Sequence, residues 1–361
     1  MKRFLIINPF GIGDVLFTTP LIQAIKSEYP DSYIAYWCNE RVKEVFKNNP
    51  RVSKVFALSR GDLKKIYKKS PLEGIKRFAG LIFGLRKEKF EIVFDFTLDH
   101  RYGLVSKLLG IKQRIGYNYK NRGRFLTHKI DISGYANRHV VDYYLDLLKF
   151  VGIEPKKRNL ELFVPERDNI KSRILFESIG IKQDDLVVGL APGAGASWGQ
   201  SAALKHWPSV KFSRLADKLI NNLGAKVIIL GDLSERSLAD TVLYSMSNKA
   251  IDLVGKTGLE ELFAVINNLQ VLVANDGGML HIAVALGKKT VSMFGPVDEA
   301  VYGPYPLSPK HAVIKKDLSC RPCYKKFRMG TCLMDRQCMN SIEVDEVFAE
   351  VSRLLLNKGN N

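Results

Sequence analysis

An acidic turn and a pair of glycines occupy residues 275–281, NDGGMLH, directly after the apolar run 271–274. Glycines at the start of a helix leave backbone N–H groups open to a ligand, and the helix dipole adds positive potential there, which favours phosphate. The histidine could equally pack inside the first helical turn. The candidate binding residues of this loop are Asp276, Gly277, Gly278, Met279 and His281.

Two further loops in the same half of the chain carry residue types that suit a nucleoside diphosphate. Lys205 follows the glycine-rich stretch 191–198 and precedes a helical segment, where an ammonium group can reach a diphosphate as a point charge. The loop 231–236, GDLSER, follows an apolar run, and a carboxylate there can accept hydrogen bonds from ribose hydroxyls. Helix capping explains each residue separately. Together the loops predict a nucleotide-diphosphate site.

The loop 8–14, NPFGIGD, follows the first apolar run of the chain. It is not a dinucleotide-binding fingerprint, because the third glycine of that motif would fall at position 16, which is Leu16. Gly11 and Gly13 still allow the backbone to approach a ligand closely. Asp14, taken by itself, is most simply a helix N-cap.

These loops belong to an alternation of short apolar runs and helical segments that extends along the whole chain. The alternation predicts parallel sheets covered on both faces, so we expect an α/β fold. Ligands of open α/β sheets bind beyond the carboxyl ends of the strands. The loops to consider are therefore 8–14, 95–101, 191–205, 231–236 and 274–279. Asp95 and Arg101 are the candidates of the second loop.

The alternation restarts after about residue 165, so the chain is predicted to hold two doubly wound halves. We expect an N-terminal domain over 1–165, a C-terminal domain over 166–342, and a closing helix and tail over 343–361. Helices are predicted at 19–29, 207–222, 259–267, 281–286 and 343–356. Strands are predicted at 3–8, 32–37, 91–96, 186–190, 226–230, 270–274 and 290–294.

Composition narrows the class of protein. The 361 residues are 46% hydrophobic, which excludes a disordered or fibrous chain, and no apolar run approaches the ~18 residues of a membrane-spanning helix. The first apolar stretch ends at once in Pro9 and two glycines, unlike a secretory signal, so we expect a cytoplasmic protein. The formal charge of +18 indicates an anionic partner, with a solvated basic surface as the alternative.

Four of the five cysteines lie close together in the sequence, at Cys320, Cys323, Cys332 and Cys338. The first pair has the spacing of a metal knuckle, whereas the second spacing is irregular for zinc. A structural metal and reduced, unliganded thiols both remain open.

The motifs resemble those of glycosyltransferase family 9, the ADP-heptose:lipopolysaccharide heptosyltransferases. The resemblance covers nearly the whole chain, and it rests on the order and spacing of motifs that are individually weak. Those motifs are GIGD at 11–14 with TP at 19–20, NPRV at 49–52, RIGY at 114–117, PGA at 192–194, KHWP at 205–208, NDGGMLH at 275–281, FGP at 294–296 and YGP at 302–304.

The resemblance implies the GT-B architecture, in which two Rossmann-like domains face each other across a cleft, with inversion at the anomeric carbon and no metal requirement. The N-terminal domain would take the acceptor and the C-terminal domain the nucleotide sugar. By position, Asp14 matches the proposed general base, Lys205 the diphosphate-binding lysine and Glu235, less closely, the ribose-binding acid. Asp276 and the glycines after it match the donor-binding turn. Ser201 matches a hydroxyl position of some relatives only, and Gly277 stands where many have Ser or Thr.

The residues suit this chemistry independently of the resemblance. An inverting transfer needs one base to take the acceptor hydroxyl's proton, and fixed positive charge must stabilise the leaving diphosphate. The same chemistry with another sugar or acceptor is an alternative, as is a sugar-nucleotide-binding protein without catalysis. A nucleic-acid-binding protein is a further alternative, but its usual aromatic interleaving and reading motifs are missing from the sequence, and we expect no nucleic-acid partner.

The stretch 60–89 is rich in Lys and Arg. Apolar residues are interleaved with the cations at helical spacing, namely Ile75, Phe78, Ala79, Ile82, Phe83 and Leu85. Such a pattern suits an interfacial helix on an anionic membrane. The helix lies in the domain expected to bind the acceptor, and a membrane contact there would place that domain next to a lipid-linked phosphorylated saccharide. A helix whose apolar stripe packs on the first domain explains the pattern equally well. The first interpretation predicts a peripheral protein on the inner face of the cytoplasmic membrane.

Overall fold

The computed structural model describes residues 1–356, apart from the side chains of Ala196 and Ser197. The chain divides into two compact units, Met1–Phe163 and Val164–Asn361. Among the described residues, none of the helices combines the length and the apolar character needed to cross a lipid bilayer.

The first unit is built on a six-stranded parallel sheet in the order β3-β2-β1-β4-β5-β6. The strands are β1 (Arg3–Ile7), β2 (Tyr33–Cys38), β3 (Lys54–Ala57), β4 (Ile92–Asp95), β5 (Gln113–Tyr119) and β6 (His128–Ile132). The helices are α1 (Ile12–Leu16), α2 (Thr19–Glu28), α3 (Glu44–Lys47), α4 (Arg60–Lys69), α5 (Pro71–Lys87), α6 (His100–Leu108) and α7 (Val140–Asp146).

The central strand of this sheet explains why the first apolar run is continuous rather than alternating. β1 pairs with β2 on one side and β4 on the other, and Phe4, Leu5, Ile6 and Ile7 are all fully buried. A parallel strand covered by helices on both faces has no solvent face, so the side chains that follow Arg3 in this strand are all apolar. The same arrangement brings the loops after β1 and β4 together at one edge of the sheet.

The second unit repeats the plan with the order β12-β11-β10-β7-β8-β9 and a separate hairpin, β13-β14. The strands are β7 (Val187–Ala191), β8 (Lys226–Ile229), β9 (Ile251–Asp252), β10 (Val271–Asn275), β11 (Lys289–Phe294), β12 (His311–Lys315), β13 (Tyr324–Lys325) and β14 (Arg328–Met329). The helices are α8 (Glu166–Ser178), α9 (Ser209–Leu223), α10 (Arg236–Ser245), α11 (Leu259–Asn267), α12 (Gly278–Ala285), α13 (Glu299–Tyr302), α14 (Gln337–Asn340) and α15 (Val344–Leu356).

The predicted α/β fold with two Rossmann-like sheets is therefore confirmed. Two predicted helix starts were wrong. The helix expected at 207 begins at Ser209, because Trp207 precedes Pro208 and a residue before proline is disfavoured in the helical conformation. The helix expected at 281 begins at Gly278, so the glycine pair lies at its N-terminus. The closing helix α15 packs on α9 and the β10–β12 part of the second sheet. The predicted tail 357–361 lies outside the described residues.

Candidate functional site

The carboxyl edge of the second sheet is organised by one buried amide, Asn275, the last residue of β10. Its Nδ2 donates to the carbonyl oxygens of Pro192 at 2.7 Å and Gly193 at 3.3 Å, and its Oδ1 accepts from the backbone N–H of Trp207 at 3.0 Å. These bonds tie the loops on both sides of Lys205 to the strand that carries Asp276. The separate loops of the sequence thus become one rigid surface.

Lys205 and Asp276, predicted separately as donor-site residues, form an ion pair of 2.8 Å between Nζ and Oδ2. The lysine side chain is only 2% exposed, and its Nζ also lies 4.1 Å from the centroid of the Trp198 ring. The sequence predicted only that this ammonium group can reach a diphosphate. The structure instead holds the ammonium between a carboxylate and an indole face, an arrangement in which a desolvated charge retains favourable partners.

Gly277 is needed for the loops to approach each other. A Cβ built at this position would lie 2.9 Å from the carbonyl oxygen of Ala194, closer than such atoms pack. This contact explains why the chain has glycine at this position. Gly277 is the N-cap of α12, and Gly278 and Met279 form its first turn, both partly exposed. His281 is 4% exposed within that helix, which places its ring in the interior.

Glu235 lies in a short 3-10 turn after β8 and joins that loop to the one after β7. Its Oε1 accepts from the backbone N–H of Gly195 at 3.0 Å and its Oε2 from that of Asp232 at 3.2 Å. Burial raises the pKa of the carboxyl, and the backbone donors offset part of this shift. A Cβ at Gly193 would fall 1.8 Å from Oε1, so the glycine of the PGA motif makes room for this carboxylate. Ser201 is partly exposed in the 3-10 segment that leads to Lys205.

In the first unit, Asp14 lies at the third position of α1, whose N-cap is Gly11. Its Oδ2 accepts from the backbone N–H of Gly11 at 3.1 Å, which forms half of a capping box. The N-cap interpretation of Asp14 is therefore wrong in detail. Gly11 has φ −76°, and Gly13 lies within the helix, so neither glycine is required by a left-handed backbone conformation.

Two buried amides that the sequence did not single out hold this turn. Asn8 donates from Nδ2 to the carbonyl oxygen of Asp14 at 3.0 Å, and its Oδ1 accepts from the backbone N–H of Phe10 at 3.2 Å. Asn39, which follows β2, donates to the carbonyl oxygens of Pro9 at 2.9 Å and Phe10 at 2.6 Å. Both side chains are nearly inaccessible. They fix the backbone that carries Asp14.

The signal that could have found them is an asparagine directly after an apolar strand. Asn8 and Asn39 directly follow β1 and β2, and Asn275 follows the apolar residues of β10 as the last residue of that strand. An amide there can donate to one neighbouring loop and accept from another, which a carboxylate cannot do.

Asp95 and Arg101 lie at the same edge of the first sheet but are not brought together. Asp95 ends β4, is 5% exposed and accepts from the backbone N–H of Thr97 at 2.9 Å, while burial raises its pKa to about 6. Arg101 lies in the first turn of α6, where its exposed guanidinium is 3.4 Å from the carboxylate of Asp99. Asp95 is thus a buried acid, and Arg101 an exposed cation.

The four clustered cysteines line one small cavity together with Leu204 and Pro296. All are free thiols, from the exposed Cys320 to the buried Cys338. Within residues 1–356, no three His, Cys, Asp or Glu side chains are placed to hold a metal ion. The expectation of a structural metal is therefore not supported by the arrangement of these thiols.

Two Rossmann-like sheets, each with polar and glycine-rich loops at its carboxyl edge, are the fold of the GT-B class of glycosyltransferases. Solved structures of this class match along nearly the whole chain. The ADP-heptose lps heptosyltransferase II of Escherichia coli matches with a TM-score of 0.77 at 21% identity, covering 99% of both chains. The family 9 glycosyl transferase of Veillonella parvula matches with a TM-score of 0.80 at 22% identity, covering 99% of this chain and 98% of the other.

Sequence comparison identifies the family. The model of glycosyltransferase family 9 (heptosyltransferase) matches residues 79–333, and the chain belongs to this family. It is therefore a glycosyltransferase. The chain is 24% identical over 370 residues to lipopolysaccharide heptosyltransferase 2 of Salmonella typhimurium, with 99% of both chains covered. It is 27% identical over 301 residues to lipopolysaccharide heptosyltransferase 3 of Escherichia coli, covering 81% of this chain and 82% of the relative.

Proposed function

We propose that this protein transfers a heptose from ADP-heptose to a saccharide of the lipopolysaccharide core, with inversion at the anomeric carbon and without a metal ion. Family membership and the names of the relatives support the class of reaction. The observation that carries the proposal is the gathering of Lys205, Asp276, Glu235 and the N-terminus of α12 at one sheet edge.

The donor side follows from the chemistry of these groups. The ammonium group of Lys205, which the ion pair with Asp276 holds in place, is the kind of positive donor that stabilises phosphate oxygens. The first turn of α12 adds backbone N–H donors and the positive end of the helix dipole. Glu235 has both oxygens held by backbone donors, and a carboxylate oriented in this way can also accept from a ribose hydroxyl. This set suits ADP as the leaving group.

On the acceptor side we assign Asp14 the role of general base. Its carboxylate takes the proton of the acceptor hydroxyl as that oxygen forms a bond to the anomeric carbon. The bond from this carbon to the diphosphate oxygen breaks in the same step, and ADP leaves with the electron pair. A single displacement inverts the anomeric centre. Asn8 and Asn39 hold the turn so that the carboxylate keeps its place without reorganisation.

The remaining assignments concern where the enzyme works. The first unit would bind the acceptor and the second the nucleotide sugar. The acceptor would be a lipid-linked phosphorylated saccharide, reached by a cytoplasmic protein at the inner face of the membrane. The +18 formal charge supports an anionic partner of this kind.

The experiment is turnover with a panel of nucleotide sugars on a lipopolysaccharide-core acceptor, with detection of the released diphosphate. We expect ADP release from ADP-heptose and product with inverted configuration. Release from a uridine or guanosine sugar alone would contradict the donor assignment.

The role of Asp14 is tested in the same assay by Asp14→Ala. We expect kcat to fall by ~10²–10⁴-fold while ADP affinity stays within a few-fold. Asp62→Ala is the matched control, because Asp62 occupies the same capping-box position in α4. Equal losses in both variants would show that capping, not base catalysis, explains Asp14.

A further inference from the structure

The helical hairpin formed by α4 and α5 presents an apolar face to solvent. Leu72, Ile75 and Phe83 are 80%, 56% and 73% exposed. At 100° per residue these three positions fall within an arc of about 80° on α5. We call this arc the outer face.

The opposite side of α5 attaches the hairpin to the first unit. Leu81 and Leu85 are nearly inaccessible and belong to the core that includes residues of β1–β4. The sequence could not separate these two faces, because packing on the domain and exposure to a partner give the same spacing. The structure assigns Leu85 to the core, and it leaves Ile75, Phe78, Ala79 and Phe83 exposed. The packing interpretation therefore holds for only part of the apolar residues.

Cations surround the outer face. Residues 60–87 contain nine Lys and Arg against two acidic residues. On α5, Lys76 and Lys87 are exposed beside the outer face, and Arg86 is exposed within its arc, at the C-terminal end of the helix. On α4, which buries no residue, Lys64, Lys65, Lys68 and Lys69 are exposed as well. The hairpin thus combines large exposed apolar side chains with a net positive charge.

We propose that the outer face inserts at the boundary between headgroups and acyl chains of an anionic phospholipid bilayer, with the flanking lysines on lipid phosphates. Apolar side chains ringed by Lys and Arg are what an interfacial helix requires. A second copy of the chain would bring two strongly positive surfaces together, so charge complementarity selects the anionic bilayer as the occupant.

The place of the hairpin in the fold gives this contact a use. α4 begins at Arg60, just after β3, at the carboxyl edge of the first sheet. The N-terminus of α4 is hydrogen-bonded to neighbouring segments there. The backbone N–H of Arg60 donates to the hydroxyl of Tyr102 in α6, and the carboxylate of Asp62 accepts from the backbone N–H of Glu40. Docking through the hairpin would bring the edge that carries Asp14 toward the membrane. The benefit of bringing Asp14 toward the membrane rests on the proposed function, whereas the binding of the hairpin to the bilayer does not.

The test is flotation of the full-length protein with vesicles of phosphatidylglycerol and phosphatidylcholine, without donor or acceptor. We expect binding that weakens with salt, and little binding to pure phosphatidylcholine. L72S/I75S/F83S and, separately, K68E/K69E/K76E/K87E should each lower the partition coefficient by at least about tenfold. L108S/I174S/Y244S is the matched control, since its side chains are 77%, 59% and 89% exposed elsewhere. All variants should keep wild-type ADP affinity.

Flotation of the apolar triple variant equal to that of the wild type would overturn the proposal. Salt-independent binding to neutral vesicles would also overturn it. Binding that appears only when lipopolysaccharide is embedded, and that soluble core saccharide abolishes, would identify the acceptor rather than the bilayer as the occupant. Because no substrate is present in the main assay, a failure of heptose transfer leaves this result unchanged.

Discussion

Replacing Lys205 by Met separates the two tasks that the structure gives this lysine. Its Nζ pairs with Asp276 at 2.8 Å, and both side chains are almost fully buried. Removing one partner of such a pair leaves an uncompensated buried carboxylate, which lowers the free energy of unfolding by ~3–5 kcal/mol. Loss of the charged hydrogen bond to diphosphate should weaken ADP binding by ~1.5–3 kcal/mol, or about 10- to 150-fold in Kd.

A second variant distinguishes these effects. In K205M/D276L both charges are replaced by apolar groups, so the free energy of unfolding should return close to the wild-type value. The ADP affinity should stay low, because the ammonium is still absent. K288M is the control: Lys288 is half-buried and donates to a backbone carbonyl at the amino edge of the sheet, so its loss should not affect ADP.

Urea unfolding and calorimetry with ADP and adenosine measure the two quantities. We expect K205M to weaken ADP far more than adenosine. If K205M unfolds at the wild-type urea concentration, the buried pair does not contribute as argued. If K205M/D276L recovers ADP affinity, Lys205 acts only through the loops it supports, and its contact with phosphate is refuted.

Three further predictions concern packing, pH and metal. Gly277→Ala should lower ADP affinity and destabilise the protein by ~1–3 kcal/mol, because its Cβ would press on Ala194 at 2.9 Å. Gly80→Ala on α5 is the control, because a Cβ at this position would have no atom within 4 Å, and we expect it to stabilise the protein by ~0.4–1 kcal/mol. Urea unfolding measures the stability of both variants, and calorimetry measures their ADP affinity. Burial raises the pKa of Asp95 to about 6, so the native state holds its proton more tightly than the unfolded state and stability falls as pH rises from about 4 to 6. This fall should amount to about 3 kcal/mol in the free energy of unfolding, and Asp95→Asn should remove it, since the amide oxygen of Asn can still accept from the N–H of Thr97. An unchanged pH dependence of unfolding in this variant would contradict the prediction. Dialysis against a chelator should leave transferase turnover unchanged, whereas a loss reversed by added metal would show that an ion matters.

Some features of this protein are readable from the sequence because their causes are local. Short continuous apolar runs such as 4–7 and 271–274 are typical of strands buried on both faces, and their alternation with helical segments predicts two parallel sheets. Ligands of open α/β sheets bind beyond the carboxyl ends of the strands, so once the strands are known the sequence alone selects the loops of Asp14, Lys205, Glu235 and Asp276. The order of the motifs then indicates the family.

Other features depend on residues far apart in the chain, and only the tertiary structure decided them. That Lys205 is buried against Asp276 depends on loops 70 residues apart meeting through Asn275. The reason for glycine at 193 and 277 lies in Glu235 and Ala194, which approach from other loops. The outer face of α5 has the same helical spacing as a core face, and Leu81 and Leu85 had to be placed in the core before Leu72, Ile75 and Phe83 could be recognised as exposed. Periodicity reports that a helix has an apolar side, whereas burial depends on what the rest of the chain brings to that side.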